Sequence, residues 1–527
     1  MRSPCHPTLA VAAVRSGSRS DRKDEVTVPS PEALSKAPTV VAPCGAVRGL
    51  VLDGARVFRA IPYALARRFE APSSVAPWPG VRDATGLGVI AWQPSIVPAA
   101  HLPDLVRWFS GRPLEGQRGD VGDPSEDCLE LHVITPSADG KKRPVMVYIH
   151  GGGFSDGTSV AATWATRLAV EQDVVVVGVT HRLNVFGFLH LAQLTDRWPD
   201  AGNLGLLDLV AGLTWLRDNI AAFGGDPQNV TIFGESGGGM KISALLAMEG
   251  AVGLFHKAII QSGSRLEVLT EDVATAGARR LIDHLGVSVD ELDSVPAEAL
   301  YAAHRSVSLP SGPVMDGRTL NRHPFIPDAP PTANQVPLLV GHTLDEMSMF
   351  LVIADEDGLQ GLLAVDGEVR DRLLAAYESC FPDLPAERLF ARALGDSMFG
   401  RAAEIQAGRK ASQAAPVYRY VFTYEPDVMG RFLGAFHGAD LPLVMRNVGF
   451  DEAEGLSRVI AECWANFARN GNPSTEVLPW PKFDATDRWV VLLSDEAAAV
   501  RDPFMKVRRA WDGVPPGDIR LILDPRP

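Results

Sequence analysis

Long hydrophobic runs are missing from this 527-residue chain. No stretch approaches the ~18–20 uninterrupted apolar residues of a membrane helix, so the sequence reads as a soluble protein with no membrane span. Basic charge is in deficit, with 50 Lys and Arg against 64 Asp and Glu and a formal net charge of −14. Sequence-independent nucleic-acid binding needs a basic surface to neutralise phosphate, so no nucleic-acid partner is expected. Cysteine is scarce and unpaired: Cys5, Cys44, Cys128, Cys380 and Cys463 are odd in number, scattered and without a CxxC pair. That pattern excludes a disulfide framework or a structural zinc site and fits free thiols in a reducing, cytoplasmic compartment. HExxH and clustered His/Asp sets are also absent from the sequence, and neither a metal nor a cofactor is expected.

What is present is globular. A hydrophobic share of 46% with 22% charged residues excludes disorder, collagen and coiled coil as the main state. Residues 1–38 stand apart, because the segment from Arg15 to Glu25 is Ser, Arg, Lys and Asp with little to bury, followed by Pro29 to Pro31. They read as a disordered tail. Leu9 to Val14 is an apolar hexad after Arg2, shorter than the usual 7–15-residue core of a signal peptide. Secretion is therefore the alternative to a cytoplasmic location. Residues 39–527 read as one domain.

Within that domain, Val145 to Ile149, Val174 to Val179, Val230 to Phe233, Ala258 to Gln261 and Leu338 to Val340 are short aliphatic runs without polar alternation. Strands buried on both faces of a parallel sheet read this way. Leu206, Leu209, Leu213, Leu216 and Ile220 fall on one face of a helix between two such runs. Strand, helix and strand in repetition predict an α/β architecture with a large, mostly parallel central sheet flanked by helices. The stretches from about Leu266 to Pro331 and from Glu356 to Arg409 read as helices and loops without strands, inserted above that sheet.

The sharpest motif is Gly234-Glu235-Ser236-Gly237-Gly238, entered from Val230 to Phe233 and left into Ile242 to Leu246. This strand–turn–helix context is that of a nucleophile elbow, with Ser236 as candidate nucleophile. A serine nucleophile needs a base, and the base needs an orienting carboxylate; in this fold they follow in the order Ser, acid, His. Leu338-Leu339-Val340-Gly341-His342-Thr343-Leu344-Asp345-Glu346 offers two carboxylates just past a later strand, and spacing does not choose between Asp345 and Glu346. Only His437, in Gly434-Ala435-Phe436-His437-Gly438, follows either. His150-Gly151-Gly152-Gly153-Phe154 supplies three glycines after a strand, so the N–H groups of Gly152, Gly153 and Gly237 are candidate donors to an oxyanion.

Further blocks appear in order: Ile61 to Ala64, Glu126-Asp127-Cys128-Leu129, Val133 to Pro136, Arg182 to Phe188, Asn203 to Asp208, Phe223 to Pro227, Gln261 to Ser264, Gly471-Asn472-Pro473 and Trp480-Pro481. Together with the elbow they resemble the type-B carboxylesterase family, the group that includes cholinesterases and bacterial carboxylesterases, over roughly residues 40 to 500. The resemblance implies an α/β-hydrolase fold with helical insertions over the active site, and a Ser236, Glu346, His437 triad. It also implies that Glu235, Ser262 and Asp440 help hold water and imidazole near the nucleophile. The implied activity is cofactor-independent hydrolysis of a small-molecule carboxylic ester through an acyl-enzyme. Lactone, carbamate or amide hydrolysis is the alternative on the same residues. A catalytically silent, neuroligin-like binding protein predicts a lost nucleophile or base, and all three residues are present.

The chain departs from the family pattern at several places. Gly237 stands where Ala is usual, Met240-Lys241 replaces a small residue and Ser, and His181 replaces Tyr. Ile90 to Gln93 offers no cysteine for the bridge that Cys128 makes in secreted relatives.

Overall fold

A computed structural model describes residues 37–93, 103–111, 122–353 and 367–514. The tail expected at residues 1–38 lies outside them except for its last two residues, as does Cys5. An 11-stranded sheet runs through the molecule. Its strands are β1 (Leu50–Leu52), β2 (Ala55–Pro62), β3 (Glu130–Thr135), β4 (Arg143–Ile149), β5 (Val175–Val179), β6 (Gly225–Glu235), β7 (Lys257–Gln261), β8 (Leu338–Thr343), β9 (Val417–Phe422), β10 (Trp489–Leu493) and β11 (Ala498–Arg501). The spatial order is β1-β2-β3-β5-β4-β6-β7-β8-β9-β10-β11. Every pairing from β5 through β10 is parallel, whereas β1, β2, β3 and β11 make antiparallel edges.

The uninterrupted aliphatic runs form the parallel centre because both faces of each strand are covered. Along β4, Val145, Val147 and Ile149 enter one core while Met146 and Tyr148 enter the other; in β7, Ala258 and Ile260 oppose Ile259 in the same way. On the first face lie α1 (Leu204–Asn219), α2 (Gly237–Leu245) and α3 (Arg401–Lys410); α4 (Glu454–Asn470) covers the second. Burying each of the Val, Ile and Met side chains among them contributes roughly 1.5–3 kcal/mol. The parallel centre therefore fixes the strand ends from which the site is built.

Two sequence expectations change in detail. Helix α1 buries Leu206, Leu209, Leu213 and Leu216 as the spacing predicts, but Leu204, Gly205, Asp208, Gly212 and Trp215 are buried too. The helix is sandwiched: Leu204 packs with Phe186, Trp198 and Leu300 of an outer layer, and Asp208 accepts two hydrogen bonds from the buried Arg182 guanidinium at 2.6 and 2.8 Å. The stretch after Leu266 is helical at Glu271–Leu285 and Ala297–Ser306, yet Leu269–Thr270 pairs in parallel with Val314–Met315. A two-residue ladder is too short to leave a periodic signal. In the other expected insertion, helices Gly367–Cys380 and Ala386–Gly395 precede α3, and residues 354–366 lie outside the described residues. Cys44, Cys128, Cys380 and Cys463 are free thiols.

Candidate active site

Strand β6 ends at Glu235 and α2 begins at Gly237, leaving Ser236 alone in the turn at φ 54° and ψ −124°. A non-glycine residue at this angle is strained by about 1–3 kcal/mol, so surrounding contacts must hold it. They are close. The Ser236 N–H donates to the Gln261 carbonyl on β7 at 2.8 Å. A Cβ added at Gly238 would lie 2.0 Å from the Ile149 carbonyl oxygen, so only glycine lets the start of α2 pack against the end of β4. The half-buried serine therefore sits at the N-terminus of a nine-residue helix, where the helix dipole favours developing negative charge.

The glycine loop after β4 curls beside this turn. Gly152 and Gly153 adopt φ of 83° and 62°, and neither N–H makes a hydrogen bond within the described residues. Gly153 is pressed onto Gly237: a Cβ there would sit 2.1 Å from the Gly153 oxygen and 2.4 Å from its nitrogen. The missing methyl at position 237 thus has a structural counterpart, since an alanine would force the two segments apart. Gly153, whose N–H is unspent, therefore lies against the first residue of α2, next to Ser236.

The candidate acid and base come from the loops after β8 and β9, two and three strands from β6 in the same parallel array. Beyond β8, Glu346 is fully buried; its Oε1 accepts the Thr343 N–H at 2.8 Å and its Oε2 meets His437 Nδ1 in a short contact. Its neighbour Asp345, equally eligible by spacing, turns elsewhere. Asp345 accepts from Arg392 Nε at 2.7 Å, from Arg388 at 3.0 Å and from the Ala435 N–H at 3.0 Å. Its own N–H donates to the Ala435 carbonyl at 2.9 Å, in a parallel bridge between Asp345 and Phe436. One carboxylate thus faces the imidazole, and the other anchors the loop that carries it.

His437 is 5% exposed, with Phe399 and Phe350 rings 4.8 and 5.2 Å away. Its Nε2 lies 3.1 Å from Glu235 Oε1 without hydrogen-bond alignment, and the Ser236 hydroxyl makes no hydrogen bond to the ring. Catalytic hydrogen bonds are often long in an unliganded site and tighten around substrate. Glu235, 8% exposed, fits between Gly151 and Gly438. Asp440 is buried and accepts from Gln261 Nε2 at 2.9 Å and the Tyr420 hydroxyl at 2.7 Å. Ser262 is buried, at φ 47°, with its N–H on the Gly341 carbonyl at 2.8 Å.

Three carboxylates around one imidazole set the electrostatics. Burial by itself would lower His437, but Glu235, Glu346 and Asp440 outweigh it and raise the imidazole to about 9. Burial pushes Glu235 up to about 7 against the pull of His437, with Asp440 and Glu346 adding to the rise. Burial also opposes ionisation of Glu346, yet His437, assisted by His342 and Ser262, brings its carboxyl below the usual range. Glu346 is thereby kept ionised beside the ring.

The structure gathers Ser236, Glu235, Gly152, Gly153 and Gly237 on one side, and Glu346, His437, Ser262 and Asp440 on the other. Residues that the sequence reading missed complete it. Gln261 and Tyr420 hold Asp440, Arg388 and Arg392 hold Asp345, and Phe350 and Phe399 flank the imidazole. Gln261 opens the Gln261 to Ser264 block, which gave it no role, and the others lie in no readable motif.

The pattern of the carboxylesterase family matches residues 36–508. Para-nitrobenzyl esterase of Bacillus subtilis is 35% identical over 502 residues, covering 88% of this chain and 96% of that protein. Human cocaine esterase is 34% identical over 485 residues, with 83% and 84% covered. The crystal structure of Geobacillus stearothermophilus carboxylesterase EST55 superposes with a TM-score of 0.77 at 35% identity, covering 90% of this chain and 99% of that one.

Proposed function

This chain belongs to the carboxylesterase family and is a carboxylic ester hydrolase of α/β-hydrolase fold, and from that premise we propose how its own residues divide the work. Ser236 attacks the acyl carbon while His437 Nε2 takes its proton, and Glu346 holds the Nδ1 tautomer and stabilises the imidazolium. The N–H groups of Gly152, Gly153 and Gly237 receive the negative oxygen of the tetrahedral intermediate, and His437 then protonates the departing alcohol. Water repeats the cycle on the acyl-enzyme. Glu235, Ser262 and Asp440 hold the imidazole and a water near the nucleophile.

The observation that carries this reading is the contact of Glu346 Oε2 with His437 Nδ1, which leaves Nε2 turned to the Glu235–Ser236 segment. The substrate is a small-molecule ester with an apolar group, supported by Phe350, Phe399 and the partly buried Met240 clustered beside the imidazole. Parallel assays of p-nitrophenyl esters from acetate to hexanoate and of the matching p-nitroanilides test it. Ester turnover without anilide turnover is expected. Anilide rates equal to the ester rates would move the activity to amides.

A further inference from the structure

One buried charge beneath the site has no part in the scheme above. Lys241, on the second turn of α2, is 0% exposed. Its Nζ donates to the His150 carbonyl at 3.1 Å and lies 5.7 Å from the centre of the Phe154 ring. Among the described residues no carboxylate reaches it. The groups packed nearby are the imidazoles of His150 and His181, stacked with centroids 4.6 Å apart and planes 6° apart. Burial, followed by the Lys241 charge, holds His150 down at about 3 and His181 well below its ordinary value, so both rings are neutral. Neither supplies a counter-ion.

A lysine buried without an acid is costly to keep, and an apolar side chain of similar length would pack there more favourably. Stability therefore does not account for Lys241. Its one hydrogen bond points to a different role. The carbonyl it holds belongs to the residue immediately before Gly151, Gly152 and Gly153, whose peptides have no side chains to orient them. At the other end of the same loop, Gly153 rests on Gly237. The loop is thus tied to α2 at two points, by a hydrogen bond from Lys241 and by a contact that only glycine at 237 permits. Burial lowers the ammonium to about 7, but charged or neutral the amine retains N–H groups to donate.

We propose that Lys241 is a positioning residue of the oxyanion hole: by holding the His150 carbonyl it aims the Gly152 and Gly153 N–H groups at the oxygen of the tetrahedral intermediate. This rests on the reading that Gly152, Gly153 and Gly237 receive that oxygen.

The test compares Lys241→Met, Lys241→Gln and Lys241→Ser in the full chain, by steady-state hydrolysis of p-nitrophenyl butyrate, affinity for a trifluoromethyl ketone that forms a tetrahedral adduct, and thermal melting. Removing an oxyanion donor outright costs about 10²–10³ in rate, so loss of its support is expected to lower kcat about tenfold in Lys241→Met, with KM within about twofold. Ketone affinity should fall by the same factor as kcat/KM. Lys241→Gln keeps a donor and should return kcat to within about threefold of wild type. Lys241→Ser shortens the side chain beyond reach and should match Lys241→Met, which keeps the test open if the latter does not fold.

Wild-type kcat and ketone affinity in the folded Met or Ser variant would overturn the proposal. So would a Gln variant as slow as Lys241→Met at equal melting temperature. A wild type that turns over ester but does not bind the ketone would instead overturn the oxyanion reading beneath it.

Discussion

The two halves of the site are built by different physics. The nucleophile half, Ser236 with the His150–Phe154 loop, comes from two short motifs at the ends of adjacent parallel strands, and backbone contact holds it together. Gly238 and Gly237 allow approaches that any side chain would block. The base half, Glu346 and His437, comes from segments 91 residues apart, and ion pairs hold it instead. Asp345 binds Arg388 and Arg392 on one side and the Ala435 N–H of the histidine loop on the other. A backbone-built half tolerates little chemical change but needs no partner. A charge-built half depends on every member being present.

That contrast is broken most sharply at the two adjacent carboxylates. Glu346→Gln keeps the shape but loses the imidazolium's counter-charge, and kcat is expected to fall about 10³–10⁴-fold with little change in melting temperature. Asp345→Asn should do the reverse. It leaves two arginines, one of them deeply buried, short of their carboxylate, with an expected loss of about 3 kcal/mol in stability and a smaller drop in kcat. Kinetics and denaturant melts on the pair check this; equal kinetic losses would erase the distinction between facing the base and anchoring its loop.

A smaller effect is expected from Glu235, which belongs to the nucleophile half in sequence and touches the base half in space. His437 must be neutral to accept the serine proton, and nearby carboxylates raise its pKa to about 9. Activity therefore falls as pH drops through that value. Removing the charge with Glu235→Gln lowers the imidazole pKa and should move the acid limb of kcat/KM about one unit toward lower pH. An unmoved limb, or one displaced upward, would contradict the electrostatics described here.

The same division explains what was legible in the sequence. Val145 to Ile149 and Val230 to Phe233 announced a doubly covered parallel sheet because burial on both faces removes polar alternation. The elbow and the triple glycine were readable because close backbone approach demands glycine at particular places. The choice of Glu346 over Asp345 was not readable from spacing. It is decided by Arg388 and Arg392, 43 and 47 residues beyond Asp345 on a helix without a motif. Tyr420, Phe350 and Phe399 were invisible for the same reason, since Tyr420 meets Asp440, and Phe350 and Phe399 meet His437, only after the chain folds. Lys241 stood out in the sequence as a departure from the family pattern. Its meaning depended on burial, which a lone lysine does not declare.

In the proposed mechanism Ser236 is the nucleophile that both halves serve. Reaction with a fluorophosphonate, followed by mass spectrometry of wild type and Ser236→Ala, tests it most directly. One adduct, on Ser236, is expected in the wild type and none in the variant. An unlabelled wild type, or a variant that still carries the adduct, would contradict it.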